Sequence, residues 1–163
     1  LDATARAHPH APAYGELTWA AAAEQTRRLS ATLAALGIGP GDRVALFLPN
    51  RPAFLTLLFA LSRRGAAAIL LNTRFRAADL APLLTRASPV AFALARDLAP
   101  VDPAAVLESL PAETRASLRF ILAADDGPGG TLAGLPVHPV SEEHGANAPD
   151  HAAPASEALT FTT

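Results

Sequence analysis

The sequence contains no cysteine, no methionine and no lysine, and only one tryptophan and one tyrosine among 163 residues. The lack of cysteine excludes disulfides and thiolate metal sites. Without lysine, all 13 basic side chains are arginine, so the ammonium that commonly meets an ATP phosphate is absent from every position. No excess of one charge exists either: 15 acids against 13 bases leave a net charge of -2. That balance excludes the strongly basic face duplex nucleic acid needs, and no nucleic-acid partner is expected.

Long apolar runs are missing as well. The first fifteen residues, LDATARAHPHAPAYG, lack the apolar core of roughly 7 to 15 residues that a secretory signal requires. The longest strongly apolar stretch, 53–61, is about half of what a bilayer span needs. A soluble, cytoplasmic chain with no transmembrane segment is expected. The chain begins at Leu1 without Met and stops on the β-prone run LTFTT, which reads as a piece of something longer. Half of the residues are apolar, so the chain as a whole is not disordered. A chain of this length buries roughly two thirds of the surface it exposes when unfolded, enough for one core.

Thr18 is a helix N-cap, and Trp19, Ala22, Thr26, Leu29, Leu33 and Leu36 follow at three- and four-residue spacing on one helix face, closed by Gly37. Arg27 and Arg28 fall on the opposite, solvated face. GIGPGDR is a tight turn, and 44–48 is a strand buried on both sides. Asn50 is positioned to cap a helix that begins near Pro52 and runs to Arg64. A second strand over 67–71, a helix over 77–86 bent by Pro82, and a third strand over 90–94 complete the alternating pattern. Beyond Arg96 the pattern weakens to a helix over 103–110, a fourth strand over 118–122 and a turn-rich break over 125–130. Helix and strand alternating with short turns predict an α/β fold, a mostly parallel sheet flanked by helices. The predicted α/β subdomain occupies 1–140. Residues 141–156, rich in Ala, Pro, His and acid without periodicity, read as a loop or linker.

Several groupings invite chemistry and resist it. Gly37, Gly39 and Gly41 follow a helix and open a strand, the reverse of a dinucleotide-binding loop, so no helix N-terminus aims their amides at an anion. His138, His144 and His151 lie in the loop-like tail at spacings unlike a zinc site, and His8 and His10 flank a proline near the start. No metal site is expected. Asp125 and Asp126 in DDGPGG are better explained as turn residues than as a carboxylate dyad. Asn72, Thr73 and Arg74 follow a parallel strand, the edge where open α/β sheets hold ligands, and are candidates for the edge of a site, although a capped turn is the simpler account of them.

Four stretches in order resemble the N-terminal part of the adenylate-forming (AMP-binding) enzymes, most closely the acyl-CoA synthetases or fatty-acid-CoA ligases. YGELTW is similar to the family's opening strand and helix start. ALGIGPGDRVALFLPN, at 35–50, resembles its most recognisable early segment. RRGAAAILLNTRFRAADLAPLL, at 63–84, resembles the next helix, strand and helix. LTFTT, at 159–163, resembles the strand entering the phosphate-binding loop. Arg76, where a capping Thr is common, and Pro82 depart from the pattern.

The resemblance implies that 157–163 is a strand leading into a truncated phosphate-binding loop, with Thr162 and Thr163 its first hydroxyls. It implies a two-step ligase: a carboxylic acid and MgATP give an acyl adenylate and pyrophosphate, then the thiol of coenzyme A displaces AMP. ATP, Mg2+ and coenzyme A belong to the full-length enzyme. This chain alone is expected to bind no cofactor, to supply no catalytic residue and to be inactive. Two alternatives stay open: an amino-acid adenylation domain with a carrier-protein thiol as acceptor, and a non-catalytic α/β binding module.

Overall fold

A computed structural model of the chain describes residues 1–98, 100–125, 127–140 and 159–161. The linker expected over 141–156, with His144 and His151, and also Asp126, Thr162 and Thr163, lie outside the described residues.

The alternation read from the sequence is present. Helix α2 (Trp19–Ala35) starts at Thr18, whose hydroxyl accepts the Ala21 N–H at 3.3 Å. Strand β1 (Arg43–Phe47) leads to α3 (Pro52–Arg63), β2 (Ala67–Leu70) to α4 (Ala77–Ala87), and β3 (Ala91–Leu94) to α5 (Pro103–Glu108) and the short α6 (Ala112–Arg115). Strand β4 (Phe120–Ala123) follows. Bounds shift by a residue or two from those expected. One capping assignment changes: Arg51, not Asn50, is the N-cap of α3, with extended backbone and no side-chain cap bond. Pro52 is the first helical residue, and the clash of its ring with the preceding residue holds Arg51 extended. Helix α4 runs on through Pro82 to Ala87.

Four elements were not anticipated, the short α6 (Ala112–Arg115) among them. Helix α1 (Asp2–Ala7) lies at the start, where YGELTW forms no strand but a single bridge between Pro12 and Thr18. Strands β5 (Gly130–Leu132) and β6 (Leu135–Pro139) form an antiparallel hairpin inside the stretch read as turns and tail. His138 therefore sits on a strand, its ring edge-on to Phe120 at 5.4 Å, and not in a loop. The connecting residues Ala133 and Gly134 both have positive φ, the backbone of a tight hairpin turn in which Ala is unusual.

With β7 (Leu159–Phe161), the described strands form one sheet in the order β5-β6-β4-β3-β1-β2-β7. Every pairing is parallel except β5 with β6. Alternation along the strands divides the core into two layers. Val44 and Leu46 of β1, Ala68 of β2 and Ala91 and Ala93 of β3 face Leu29 and Leu33 of α2 and Leu57 and Leu61 of α3. Phe47, Ile69, Phe92 and Leu94 face Leu80 and Leu84 of α4 and Leu107 of α5. Each layer mixes small and bulky strand residues, Ala68, Ala91 and Ala93 beside Val44 and Leu46 in the first and Ala45 and Ala123 beside Phe47 and Phe92 in the second, packed against bulky helix side chains.

Candidate functional site

The two layers fix where the loops go. Strand β1 passes its chain to α3 on one face, while its neighbour β3 passes its chain to α5 and α6 on the other. Loops that part in this way open a crevice at the carboxyl ends of the strands, where open α/β sheets hold ligands. Four strand ends meet along this edge: Asn50 and Arg51 after β1, Asn72 to Arg74 after β2, Arg96 and Asp97 after β3, and Asp125 after β4.

Across the crevice Arg51 Nη1 donates to both oxygens of Asp97, at 2.9 and 3.1 Å. The Asp97 side chain is 60% exposed, so this tie is solvated. Beside it, a cavity of about 370 Å³ opens between Tyr14 and Gly15 of the N-terminal segment and Asn50, Arg51, Pro52, Phe54 and Leu55.

At β3 and β4 the tie is tighter. Arg96 donates from Nε and Nη2 to Asp125, the shortest contact being 2.5 Å, and its backbone N–H reaches Asp125 Oδ2 at 2.7 Å. Arg96 Nη1 also donates to the Pro128 carbonyl at 2.8 Å, and the Gly127 N–H to Asp125 Oδ1 at 2.9 Å. Burial opposes ionisation of the Asp125 carboxyl, but the hydrogen bonds from the Arg96 side chain and from the backbone N–H groups of Arg96 and Gly127, with the guanidinium charge, outweigh it and hold the group below the usual carboxylate range. The same partner raises Arg96. Gly127 packs so closely on this pair that a Cβ there would strike the Arg96 guanidinium. Asp125 thus does act in a turn, as its sequence context indicates, and it also receives an arginine 29 positions away that no local pattern announced.

At β2 the arrangement differs. Asn72 Oδ1 accepts the Arg74 N–H at 3.0 Å and the Asn72 carbonyl accepts the Phe75 N–H at 3.0 Å, so the capped turn expected there is present. Arg74 and Arg76 are exposed, and neither forms an ion pair among the described residues. Strand β7 pairs in parallel with β2, Leu70 opposite Phe161, so its carboxyl end lies at this same end of the edge.

Other sequence candidates fall elsewhere. Gly37 and Gly41, both at positive φ, turn the chain from α2 into β1 at the amino edge, where Asp42 accepts the Gly39 N–H at 2.9 Å. Their role is the turn. Among the described residues no three His, Asp or Glu side chains gather as a metal site. No helix among them is long and apolar enough to cross a membrane.

An open, mostly parallel sheet with a polar carboxyl edge is the architecture of a nucleotide- or ligand-binding α/β protein. Comparison narrows that class: the profile of the AMP-binding enzyme family matches residues 1–161, and the chain belongs to this family. It is 42% identical over 80 residues to a feruloyl-CoA synthase of Amycolatopsis sp, a match covering 47% of this chain and 16% of that protein. It is 45% identical over 69 residues to the salicyl-AMP ligase / salicyl-S-ArCP synthetase of Mycobacterium tuberculosis, covering 42% of this chain and 12% of that protein. Among solved structures, Mycobacterium smegmatis MbtA in its apo form superposes with a TM-score of 0.71 at 29% identity, over 98% of this chain and 29% of that one. The chain thus spans less than a fifth of the length of these two curated relatives. The fold expected from the sequence, the N-terminal portion of the large domain of an adenylate-forming enzyme, is the fold observed.

Proposed function

We propose that this chain is the N-terminal part of a cytoplasmic, ATP-dependent acid–thiol ligase that converts a carboxylic acid to its coenzyme A thioester through an acyl adenylate. The observation that carries this reading is the family match over 1–161, which runs through β7 to the point where Thr162 and Thr163 begin. In this reading those two hydroxyls open the phosphate-binding loop, and Asn72, Thr73 and Arg74 flank it from the adjacent strand end. Donors fixed around a leaving pyrophosphate lower the barrier because negative charge grows there in the transition state.

ATP suits the edge: Arg74 and Arg76 are cations without a carboxylate partner among the described residues, at the end where β7 delivers the loop. Mg2+ has no ligand cluster among the described residues, so in this reading the nucleotide and residues elsewhere in the full protein hold it. The metal supplies charge to the phosphates. The residues of this chain contribute binding and orientation only, which leaves the chain inactive by itself.

A second reading differs in the acceptor: a carrier-protein thiol replaces coenzyme A, either on an aryl acid, as the name of the salicyl-activating relative states for that protein, or on an amino acid. Acid-dependent exchange of pyrophosphate into ATP by the complete protein, over a panel of aryl, aliphatic and amino acids, tests the shared first step. Exchange with at least one acid is expected, and none from the 163-residue chain. Absence of exchange with every acid overturns the proposal, and thioester formation with coenzyme A or with carrier protein separates the two readings. In the complete protein Thr162→Ala is expected to raise the adenylation barrier by about 1 to 3 kcal/mol, the worth of a hydrogen bond to a charged oxygen.

A further inference from the structure

The carboxyl edge holds its arginines in two states. Where β1 and β3 end, Arg51 and Arg96 already have carboxylate partners, Asp97 and Asp125. Where β2 ends, Arg74 and Arg76 have none among the described residues, and the nearest acid in sequence, Asp79, accepts the Arg76 backbone N–H at 2.9 Å. The turn that carries Arg74 is closed by Asn72 through its side chain and its carbonyl, so the Arg74 guanidinium has no part in shaping it. The carboxyl end of β7 lies beside this turn.

We infer that Arg74 binds the polyphosphate of the nucleotide at the β2–β7 end of the edge, an inference that rests on the adenylate-forming reading above. A guanidinium already bound to a carboxylate must break that pair before it can take a phosphate. Among the described residues Arg74 has no such pair to break. Its planar fork matches two phosphate oxygens at once. With no lysine anywhere in the chain, arginine is its sole source of fixed positive charge for an anion. Asn72 is a positioning residue here: its bonds to Arg74 and Phe75 set the direction in which the Arg74 backbone leaves the strand.

The test is calorimetric titration of the complete protein with inorganic pyrophosphate, paired with the exchange assay. Arg74→Gln is expected to weaken pyrophosphate binding on the order of tenfold, the size of one charge-assisted hydrogen bond, and Arg74→Lys to recover part of that loss. Arg86→Gln removes the same charge from the far end of α4 and should leave binding unchanged. Wild-type affinity in Arg74→Gln, equal losses in Arg74→Gln and Arg86→Gln, or no pyrophosphate binding by the wild type would each overturn the inference. If the wild type exchanges pyrophosphate while Arg74→Gln binds it unimpaired, the inference fails and the ligase reading stands. Arg74-dependent binding without exchange for any acid reverses that result: the ligase reading fails and the anion site remains.

Discussion

At the β3 and β4 strand ends a guanidinium is enclosed by oxygens: Arg96 meets the Asp125 carboxylate, the Pro128 carbonyl and, through Asp125, the Gly127 amide. At the β2 strand end, on the same edge of the same sheet, a three-residue turn carries the exposed Arg74 with its backbone fixed and, among the described residues, no carboxylate partner. The first arginine is part of the scaffold and the second is not. A charge used to hold a loop is unavailable to a ligand, so a single residue type serves structure at one end of the edge and, in the reading proposed above, binding at the other.

The sharpest way to break the comparison is to remove the enclosed carboxylate. Asp125→Asn should cost about 1 to 3 kcal/mol in denaturant unfolding, since the side chain is only 9% exposed and Arg96 loses its charged partner. The sign of the pH dependence follows from the lowered Asp125 pKa. Its contribution is fully present above the unfolded value near pH 4 and is lost as the pH falls through the lower folded value. The gap between wild type and Asp125→Asn should therefore shrink in acid, and a gap that widened would show that the pair does not stabilise the fold. Arg51→Ala should cost less, under about 1 kcal/mol, and the loss should fade in high salt, because Asp97 is largely exposed. Smallest of all, Arg74→Gln should shift stability by no more than about 0.5 kcal/mol, in thermal or denaturant unfolding, as for an exposed side chain without an ion pair among the described residues. A larger loss would make Arg74 a scaffold residue and erase the contrast.

The parallel sheet was legible because its strands are short apolar runs between amphipathic helices, a pattern that burial on both faces imposes. The β5–β6 hairpin was not, since β6 carries Pro136 and Pro139 and its turn uses Ala133 where Asn or Gly is usual. Helix α1 lacks a side-chain cap and buries no residue, so it left neither a start signal nor a periodic stripe. Of the edge, Asn72 to Arg74 could be placed from the strand that precedes them. The ties of Arg51 to Asp97 and Arg96 to Asp125 span 46 and 29 positions, and such pairing is set by strand order, which spacing along the chain does not encode.

Strand order also bears on folding. Ala68 of β2 pairs with Leu159 of β7, 91 positions later, whereas β1 pairs with β2 across 24 positions, Arg43 opposite Ala67. Closing a long loop carries a larger entropic cost and slows the contact it makes. The β1–β2–β3–β4 body can thus assemble from near neighbours while one side of β2 still waits for its partner. In pulse-labelling hydrogen exchange, amides of β1 and β3 should gain protection before those of β7. Strand β7 would then be the last to join, and the end of the edge where Arg74 lies would be completed only after the rest of the sheet had set.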